Sequence, residues 1–242
     1  KNNVEDSVAN LGPRYCQKVN VRTGTAKYFN CVAKTPAYFE RLYRNIDSWL
    51  TEKSYRTRKD SNRIGQLESH LKAIRDDFTV ALSNLDQRVD AIIDLSSLMK
   101  RVESLQNELE EVRHRFYSDY SSTKKDDNVR KELEADEARL LEISQDLYSF
   151  TENFEDLKIN LANNPYLIIK GEAGCGKSHL LGDVASKRID DGLPTLLFLG
   201  TDFAEETYET TITSKVGFVG TFREFLSSFN QIGTQVGSRA LL

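Results

Sequence analysis

The sequence has few cysteines and no long apolar run, and these absences exclude several classes of protein. Its 242 residues include three cysteines, at positions 16, 31 and 175, which lack metal-ligand spacing and leave one thiol over from any disulfide. No stretch approaches the ~20 apolar residues of a membrane span, and the chain does not open with a charged-then-apolar leader. We therefore expect a protein of the reducing cytoplasm with no membrane contact.

Histidine is also scarce, and the familiar catalytic constellations are missing. The three histidines lie at positions 70, 114 and 179, so neither a Ser-His-Asp set nor a paired metal site can be justified. A net charge of −4 gives no global basic surface for nucleic acid. The local basic cluster at 56–63 is explained better as a solvated linker than as a nucleic-acid contact.

Apolar residues spaced three and four apart dominate the middle of the chain. Two such seams cover residues 64–118 and 128–161, with a polar, turn-like stretch between them. Because neither stripe can stay in water, we predict two long helices that fold back on one another as an antiparallel coiled-coil hairpin. The alternative is that each helix dimerises with another chain; the short turn favours the intramolecular pairing.

A short apolar run ends in a glycine-rich loop. Residues 166–178 read YLIIKGEAGCGKS, a strand-like run followed by the pattern GxxxxGKS. In this pattern the backbone N–H groups cradle phosphates at the start of a helix. Lys177 would reach the β- and γ-phosphates of ATP, and Ser178 would ligate Mg²⁺. The predicted nucleotide-binding residues are Gly171, Glu172, Ala173, Gly174, Cys175, Gly176, Lys177, Ser178 and His179.

Strand-like and helical patterns alternate after Pro165. We predict strands at 166–170 and 195–199, a helix between them that stops at Gly192, and a third strand that begins at Ala240. This order predicts an α/β P-loop NTPase core, of which the chain holds the N-terminal part, preceded by the long antiparallel α-helical hairpin. The competing interpretation of the loop is a glycine-rich turn that binds no ligand.

ATP hydrolysis requires an acidic residue that holds Mg²⁺ through water, usually at the end of an apolar strand. Asp202 follows the run that ends at Leu199 and is one candidate. The other is a residue farther along the strand that begins at Ala240, beyond the last residue of this sequence. We favour the second, so the chain would carry the phosphate cradle without the Walker B acid, and its catalytic residues stay unassigned.

Three phrases of the sequence resemble the NTPase core of bacterial antiviral STAND proteins: the loop and helix start at 171–183, GLPTLLFLG at 192–200, and GSRALL at 237–242. The residues LGPRY at 11–15 and VNV at 19–21 are similar to the segment that, in this family, precedes the helical region. The loop itself is generic, so the flanking phrases carry the resemblance.

The resemblance implies a larger protein with an N-terminal effector, often a nuclease, a central ATPase and a C-terminal repeat array that recognises a phage protein. Target binding would drive ATP-dependent homo-oligomerisation and switch on the effector. Nucleic acid would be touched only through that effector. Gly171, Gly174, Gly176, Lys177 and Ser178 carry over as nucleotide and Mg²⁺ residues. This sequence shows no effector motif and no repeat array, and Thr201 stands where the family pattern leads us to expect Gln.

These patterns predict three segments: an extended docking segment at 1–34, a helical region at 35–161, and the start of the NTPase domain at 162–242. The first residue is Lys1 rather than Met, which leads us to expect a piece of a longer protein. Two other functions stay open: a coiled-coil scaffold whose loop is structural, and a DNA-management ATPase. The familiar members of that last class place the loop before the coil.

Overall fold

The computed structural model is dominated by α-helices. It describes residues 2–12, 25–50, 62–122, 127–204 and 206–242, and 71% of it is helical. None of the described helices is both long and apolar enough to span a membrane. The helices within these ranges are α1 Asn2–Ala9, α2 Ala26–Ala33, α3 Pro36–Leu50, α4 Asn62–Ser83, α5 Ser96–Ser122, α6 Asp127–Asp156, α7 Ile159–Asn163, α8 Lys177–Asp190, a 3-10 helix Gly200–Phe203, α9 Tyr208–Lys215 and α10 Phe222–Gln235.

The predicted α/β fold is wrong. The described ranges contain no β-strand and no sheet, whereas a P-loop core needs a central sheet. The first predicted strand, 166–170, forms no bridge, and the side chains of Tyr166 and Ile168 are 84% and 78% exposed. The second and third predicted strands meet only at an isolated parallel bridge between Thr195 and Leu241.

The backbone partners of the second predicted strand explain this outcome. The N–H of Leu196 donates to the carbonyl of Leu241 at 2.9 Å. The next residue, Leu197, faces the opposite way: its N–H donates to Oδ1 of Asn3 at 2.9 Å, and its carbonyl accepts from Oγ of Ser7 at 2.6 Å. Helix α1 therefore satisfies the backbone groups that a neighbouring strand would otherwise bind.

Contacts between residues divide the chain into two compact units. Unit 1 combines 1–39, 87–91 and 158–242, and unit 2 combines 40–86 and 92–157. The described parts of the N-terminal segment, which the sequence predicts to be extended, form α1 and α2. The predicted three-segment division itself stays a prediction.

Unit 1 is built from short helices that pack in pairs. Helix α1 contacts α8, α2 contacts α7, and α9 contacts α10. Helix α10 begins with a capping box, since Oγ1 of Thr221 accepts from the N–H of Glu224 at 3.2 Å and the Glu224 carboxylate accepts from the N–H of Thr221 at 2.7 Å. Phe225 is buried on α10, with its ring centroid 5.6 Å from that of Phe229.

Unit 2 has an aromatic core at one end of its helices. Trp49 of α3 stacks on Phe150 of α6, with 4.0 Å between ring centroids, and Phe78 of α4 meets both rings edge-on. A buried ion pair lies beside them: Arg75 donates to Asp146 at 2.7 Å, and its guanidinium lies 5.1 Å from the Trp49 ring centroid. This cluster ties α3, α4 and α6 together.

The single long helix predicted over 64–118 is also wrong, because the chain breaks it into α4 and α5 at residues 84–95. The break coincides with the point where Arg88 interrupts the apolar seam. In the connection Val89 and Ile93 are buried, whereas Ile92, which the seam places inside, is 75% exposed. Helix α5 contacts both α4 and α6, so unit 2 contains three seam helices where two were predicted.

Candidate phosphate-binding loop

The predicted phosphate loop connects α7 to α8 within unit 1. The chain leaves α7 at Asn163, has no regular secondary structure up to Lys170 and turns sharply before α8 begins at Lys177. Two positions of the turn require glycine, because Gly174 and Gly176 have φ angles of +79° and +89°. Gly176 is the residue that caps the start of α8. The predicted order of loop and helix is thus confirmed.

The side chain of Lys177 folds back over the loop. Its Nζ atom donates to the carbonyl oxygens of Gly171 at 2.8 Å and Glu172 at 2.7 Å. It also lies 3.6 Å from Sγ of Cys175, a weak acceptor. The positive charge is therefore held at the centre of the turn, on the side where the loop carbonyls converge.

The loop is tight at Gly171. A Cβ atom built on this glycine would lie 2.7 Å from Sγ of Cys175, which is closer than real Cβ contacts. The N–H of Cys175 points at the carbonyl of Glu172 across 3.4 Å, a long hydrogen bond. Glu172, Ala173 and Cys175 are exposed, so the thiol and these side chains face solvent around the folded Lys177 amine.

The first turn of α8 presents backbone donors next to this charge. The N–H groups of the first turn of a helix have no acceptor farther back in the helix, and the helix dipole favours an anion there. Here that turn begins with Lys177 and an exposed Ser178, while His179 is half-buried and has an interaction of its own. Backbone donors, a primary amine and a hydroxyl therefore lie together at an exposed helix N-terminus.

An amine, backbone N–H groups and a hydroxyl are the kinds of group that bind phosphate and Mg²⁺ in proteins. The positive φ angles of Gly174 and Gly176 shape the turn, and the Lys177 amine bonds two of its carbonyls. Mg²⁺ in nucleotide sites commonly binds one or two protein oxygens beside phosphates and water. The hydroxyl of Ser178 would supply one such oxygen. Among the described residues no group of three or more acidic, His or Cys side chains could hold a metal by itself.

Asp202, one of the two acidic candidates, is engaged elsewhere. In the 3-10 helix its Oδ2 accepts from the N–H of Leu199 at 2.8 Å, and its Oδ1 accepts from Nζ of Lys215 at 2.6 Å. Burial raises its pKa, but the bonds from Lys215 and Leu199 outweigh that effect and leave the pKa below its ordinary value. Both carboxylate oxygens thus serve the local fold.

The remaining residues that the sequence singled out are scattered. Cys31 is buried in unit 1, and Cys16 lies outside the described residues, as does most of the basic cluster at 56–63. His70 of α4 pairs with Glu108 of α5 across 3.0 Å, which makes it part of a helix contact in unit 2. Among the residues that the structure describes, the histidines and cysteines are part of no group of three or more that could hold a metal.

Sequence reasoning missed two arginines of unit 1 that lie close to the ends of the loop's flanking helices. Arg188, in the last turn of α8, is only 4% exposed, and this burial lowers its pKa to about 10. Arg239 lies beyond α10 and donates to main-chain carbonyls of two other helices. Because arginines are mostly exposed to solvent, a sequence gives no reason to predict that these two are buried. The groups that bind them are not marked by any spacing in the sequence.

Searches of protein-family models, of curated proteins and of solved structures found no significant match to this chain.

Proposed function

We propose that this chain binds ATP together with Mg²⁺ at residues 171–179. The observation that carries the proposal is the position of the Lys177 amine, held 2.7–2.8 Å from two loop carbonyls at the exposed start of α8. A lysine at this place supplies a compact charge to the β- and γ-phosphates, while the neighbouring N–H groups bind their oxygens. Ser178 supplies one oxygen to the Mg²⁺ that bridges the phosphates.

The proposal depends on the loop and on α8, which are formed in the absence of any sheet among the described residues. Gly174 and Gly176 give the turn its shape, and α8 is 14 residues long, enough for its dipole to act at the loop. Phosphate binding in this proposal uses the loop backbone, the Lys177 amine and the start of α8, all of which are formed. Hydrolysis requires in addition an acid for Mg²⁺ and a group that orients water, and we assign neither role to a residue of this chain.

We further propose that the chain belongs to a cytoplasmic signalling ATPase of the STAND type that acts in bacterial defence against phage. The support is the resemblance at 171–183, 192–200 and 237–242. In this proposal ATP binding favours one of two arrangements of the protein, a phage protein is the trigger, and homo-oligomerisation switches on an effector. The helices of unit 2 would transmit or receive the change.

One feature favours a second candidate, a helical scaffold with a structural loop. The Lys177 amine already has acceptors within its own chain, so it can act as an internal clasp of the turn. A scaffold of this kind would gain no stability from nucleotide, whereas the first proposal predicts that it does.

The test is the thermal unfolding of the 242-residue chain with and without ATP and Mg²⁺. A ligand at one hundred times its Kd stabilises the folded state by about 2.7 kcal/mol, so we expect a clear rise in Tm for the wild type. Lys177→Ala should abolish the rise. Lys187→Ala, which removes an exposed lysine from the last turn of the same helix, should leave it unchanged. If the Tm of the wild type does not change with nucleotide over a wide concentration range, the helical scaffold with a structural loop is favoured.

A further inference from the structure

Residue 239 is bound to the ends of two helices at once. Nη1 of Arg239 donates to the carbonyl of Val32 in α2 at 3.0 Å and to the carbonyl of Ala162 in α7. Its backbone N–H donates to the carbonyl of Ala33 at 2.6 Å. The last carbonyls of a helix lack partners within the helix, and a cation near them is favoured by the dipole. Arg239 therefore caps the C-terminal turns of α2 and α7 together.

The same residue also holds the end of α8. Nη2 of Arg188, in the last turn of α8, donates to the carbonyl oxygen of Arg239 at 3.1 Å. Nε of Arg188 donates to Oγ1 of Thr195 at 2.8 Å. Because Arg188 is buried, water competes little for these bonds. The C-terminal end of α8 is thus joined to residue 239 and to the segment that follows the helix.

Helix α10 also packs against the backbone on both sides of Arg239. A Cβ atom on Gly233 would lie 2.6 Å from the carbonyl oxygen of Ser238 and 2.7 Å from the nitrogen of Ala240. Only a glycine at 233 lets the backbone on both sides of Arg239 approach the helix this closely. The neighbouring Ser238 is fully buried, and its hydroxyl donates to the carbonyl of Ala33 at 3.3 Å. Arg239 is consequently held in one place.

These contacts connect the two helices that flank the phosphate loop. Helix α7 leads into the loop and α8 leads out of it. The guanidinium of Arg239 binds the end of α7, and its carbonyl binds the end of α8. One residue, distant in sequence, therefore joins the C-terminal end of α7 to the C-terminal end of α8, the helix whose opposite end carries the loop. A displacement of about 1 Å at a supporting contact is enough to weaken a site that depends on precise geometry.

We propose that Arg239 is a positioning residue for nucleotide binding, which acts through α7 and α8 on the loop at 171–178 and does not touch the nucleotide itself. The inference rests on the proposed ATP site and adds its long-range support. Arg188 shares this role because it carries the α8 half of the connection.

The test is the affinity of the whole chain for ATP and Mg²⁺, measured by titration calorimetry at a temperature where every variant is folded by circular dichroism. Arg239→Met keeps much of the side-chain length but removes every side-chain donor, and we expect its Kd to rise about tenfold. Arg188→Lys keeps the charge but cannot bond both Thr195 and the carbonyl of Arg239, and we expect a rise of about threefold. If Arg239→Met does not fold, Arg188→Lys tests the proposal in its place.

Two controls separate positioning from a loss of stability. Thr221→Ala removes the cap of α10 in the same unit and lowers Tm without touching the connection; its Kd should match that of the wild type. Arg223→Met removes an exposed arginine from α10 and should also leave Kd unchanged.

The outcomes distinguish the two proposals. If the wild type binds ATP and folded Arg239→Met and Arg188→Lys bind within about twofold of it, Arg239 is a structural clamp only and the inference fails while the ATP site stands. If Thr221→Ala weakens binding as much as Arg239→Met does, general destabilisation explains the result and the inference likewise fails. If the wild type does not bind ATP, the proposed site and this inference fall together.

Discussion

At the scale of single residues, several charged side chains of unit 1 serve the fold by binding backbone groups. Arg239 binds carbonyls at the ends of α2 and α7, and Arg188 binds the carbonyl of Arg239. Asp202 binds the N–H of Leu199 together with the amine of Lys215. Buried or half-buried charges persist only where such partners replace water. Lys177 differs from these because its bonds to the loop carbonyls lie at an exposed helix start.

Asp202 should give the protein a measurable pH dependence. Its folded pKa lies below the ordinary value of 3.8, so its contribution to stability is present above about pH 4 and is lost as the pH falls through the lower, folded pKa. We expect Asp202→Asn to lower the free energy of unfolding at pH 7 by roughly 0.5–1 kcal/mol. The difference from wild type should vanish in acid. Urea unfolding followed by circular dichroism between pH 7 and pH 3 measures this.

An exposed carboxylate provides the control for that series. Asp190→Asn, near the end of α8, should follow the wild-type curve in its dependence on pH. A stability difference between Asp202→Asn and wild type that stayed constant down to pH 3 would show that the ion pair with Lys215 is not the source of the effect.

At the scale of elements, the helices of unit 2 are fixed by polar contacts as well as by their apolar seams. Ser96 begins α5, and its N–H and hydroxyl both bond the carboxylate of Asp94, which lowers the pKa of Asp94. This local turn lies at the start of α5, in a connection where Val89 and Ile93 are buried. A seam alone permits one long helix, but the residues between α4 and α5 divide it into two.

Removing one partner of the buried ion pair between α4 and α6 should destabilise the protein strongly, whereas replacing both partners by apolar residues should destabilise it little. Asp146→Ala removes the carboxylate that faces the buried Arg75, and we expect a loss of about 3–5 kcal/mol in the free energy of unfolding. The double variant Arg75→Met with Asp146→Leu should recover most of that loss, because the pair lies beside the Trp49 ring in an apolar core. Urea unfolding monitored by Trp49 fluorescence measures both.

A matched exposed pair checks that burial is the cause. Asp77→Ala breaks the ion pair with Arg101 on the surface of α4 and α5, and should cost less than about 1 kcal/mol. Equal losses for Asp77→Ala and Asp146→Ala would contradict the interpretation that the buried charge of Arg75 dominates the effect.

At the scale of the whole molecule, the chain forms two units that are each made from separate stretches of sequence. Unit 1 joins residues 1–39 to 158–242, whereas unit 2 uses the residues between them apart from 87–91. The single tryptophan, Trp49, lies in the core of unit 2. Its fluorescence therefore reports on that unit, while circular dichroism reports on the helices of both.

This arrangement predicts that the units respond separately to core mutations. Phe225→Ala leaves a cavity in unit 1 and should destabilise it by about 3–5 kcal/mol. The urea midpoint by circular dichroism should fall, while the Trp49 midpoint stays close to that of wild type, so that the two probes no longer coincide. Phe150→Ala, in contact with Trp49 in unit 2, should shift the fluorescence midpoint directly. If Phe225→Ala moves both probes equally, the chain unfolds as one cooperative unit.

The sequence by itself determined the local elements of this protein. Thr35 and Pro36 are residue types that favour the cap and the first turn of a helix, and Oγ1 of Thr35 accepts from the N–H of Tyr38 at 3.2 Å at the start of α3. The glycine pattern predicts the turn before α8, and Gly192 stops that helix with a φ of +75°. Residues of the seams such as Phe78 and Leu147 are buried as predicted. Caps, turns and helical periodicity depend on neighbours a few residues apart, which the sequence displays directly.

Only the tertiary structure decided which distant groups each segment binds. The apolar runs at 166–170 and 195–199 look like strands, but a strand exists only where another segment pairs with its backbone. The carbonyl of Leu197 instead accepts from Ser7, 190 residues away. The partners of Asp202 and Arg239 could not be predicted either, because the sequence shows that a residue is charged but not which carbonyl or ammonium group binds it. The sequence therefore predicted the glycine turn and the helix that follows it, while the fold around them depended on contacts between residues far apart in the chain.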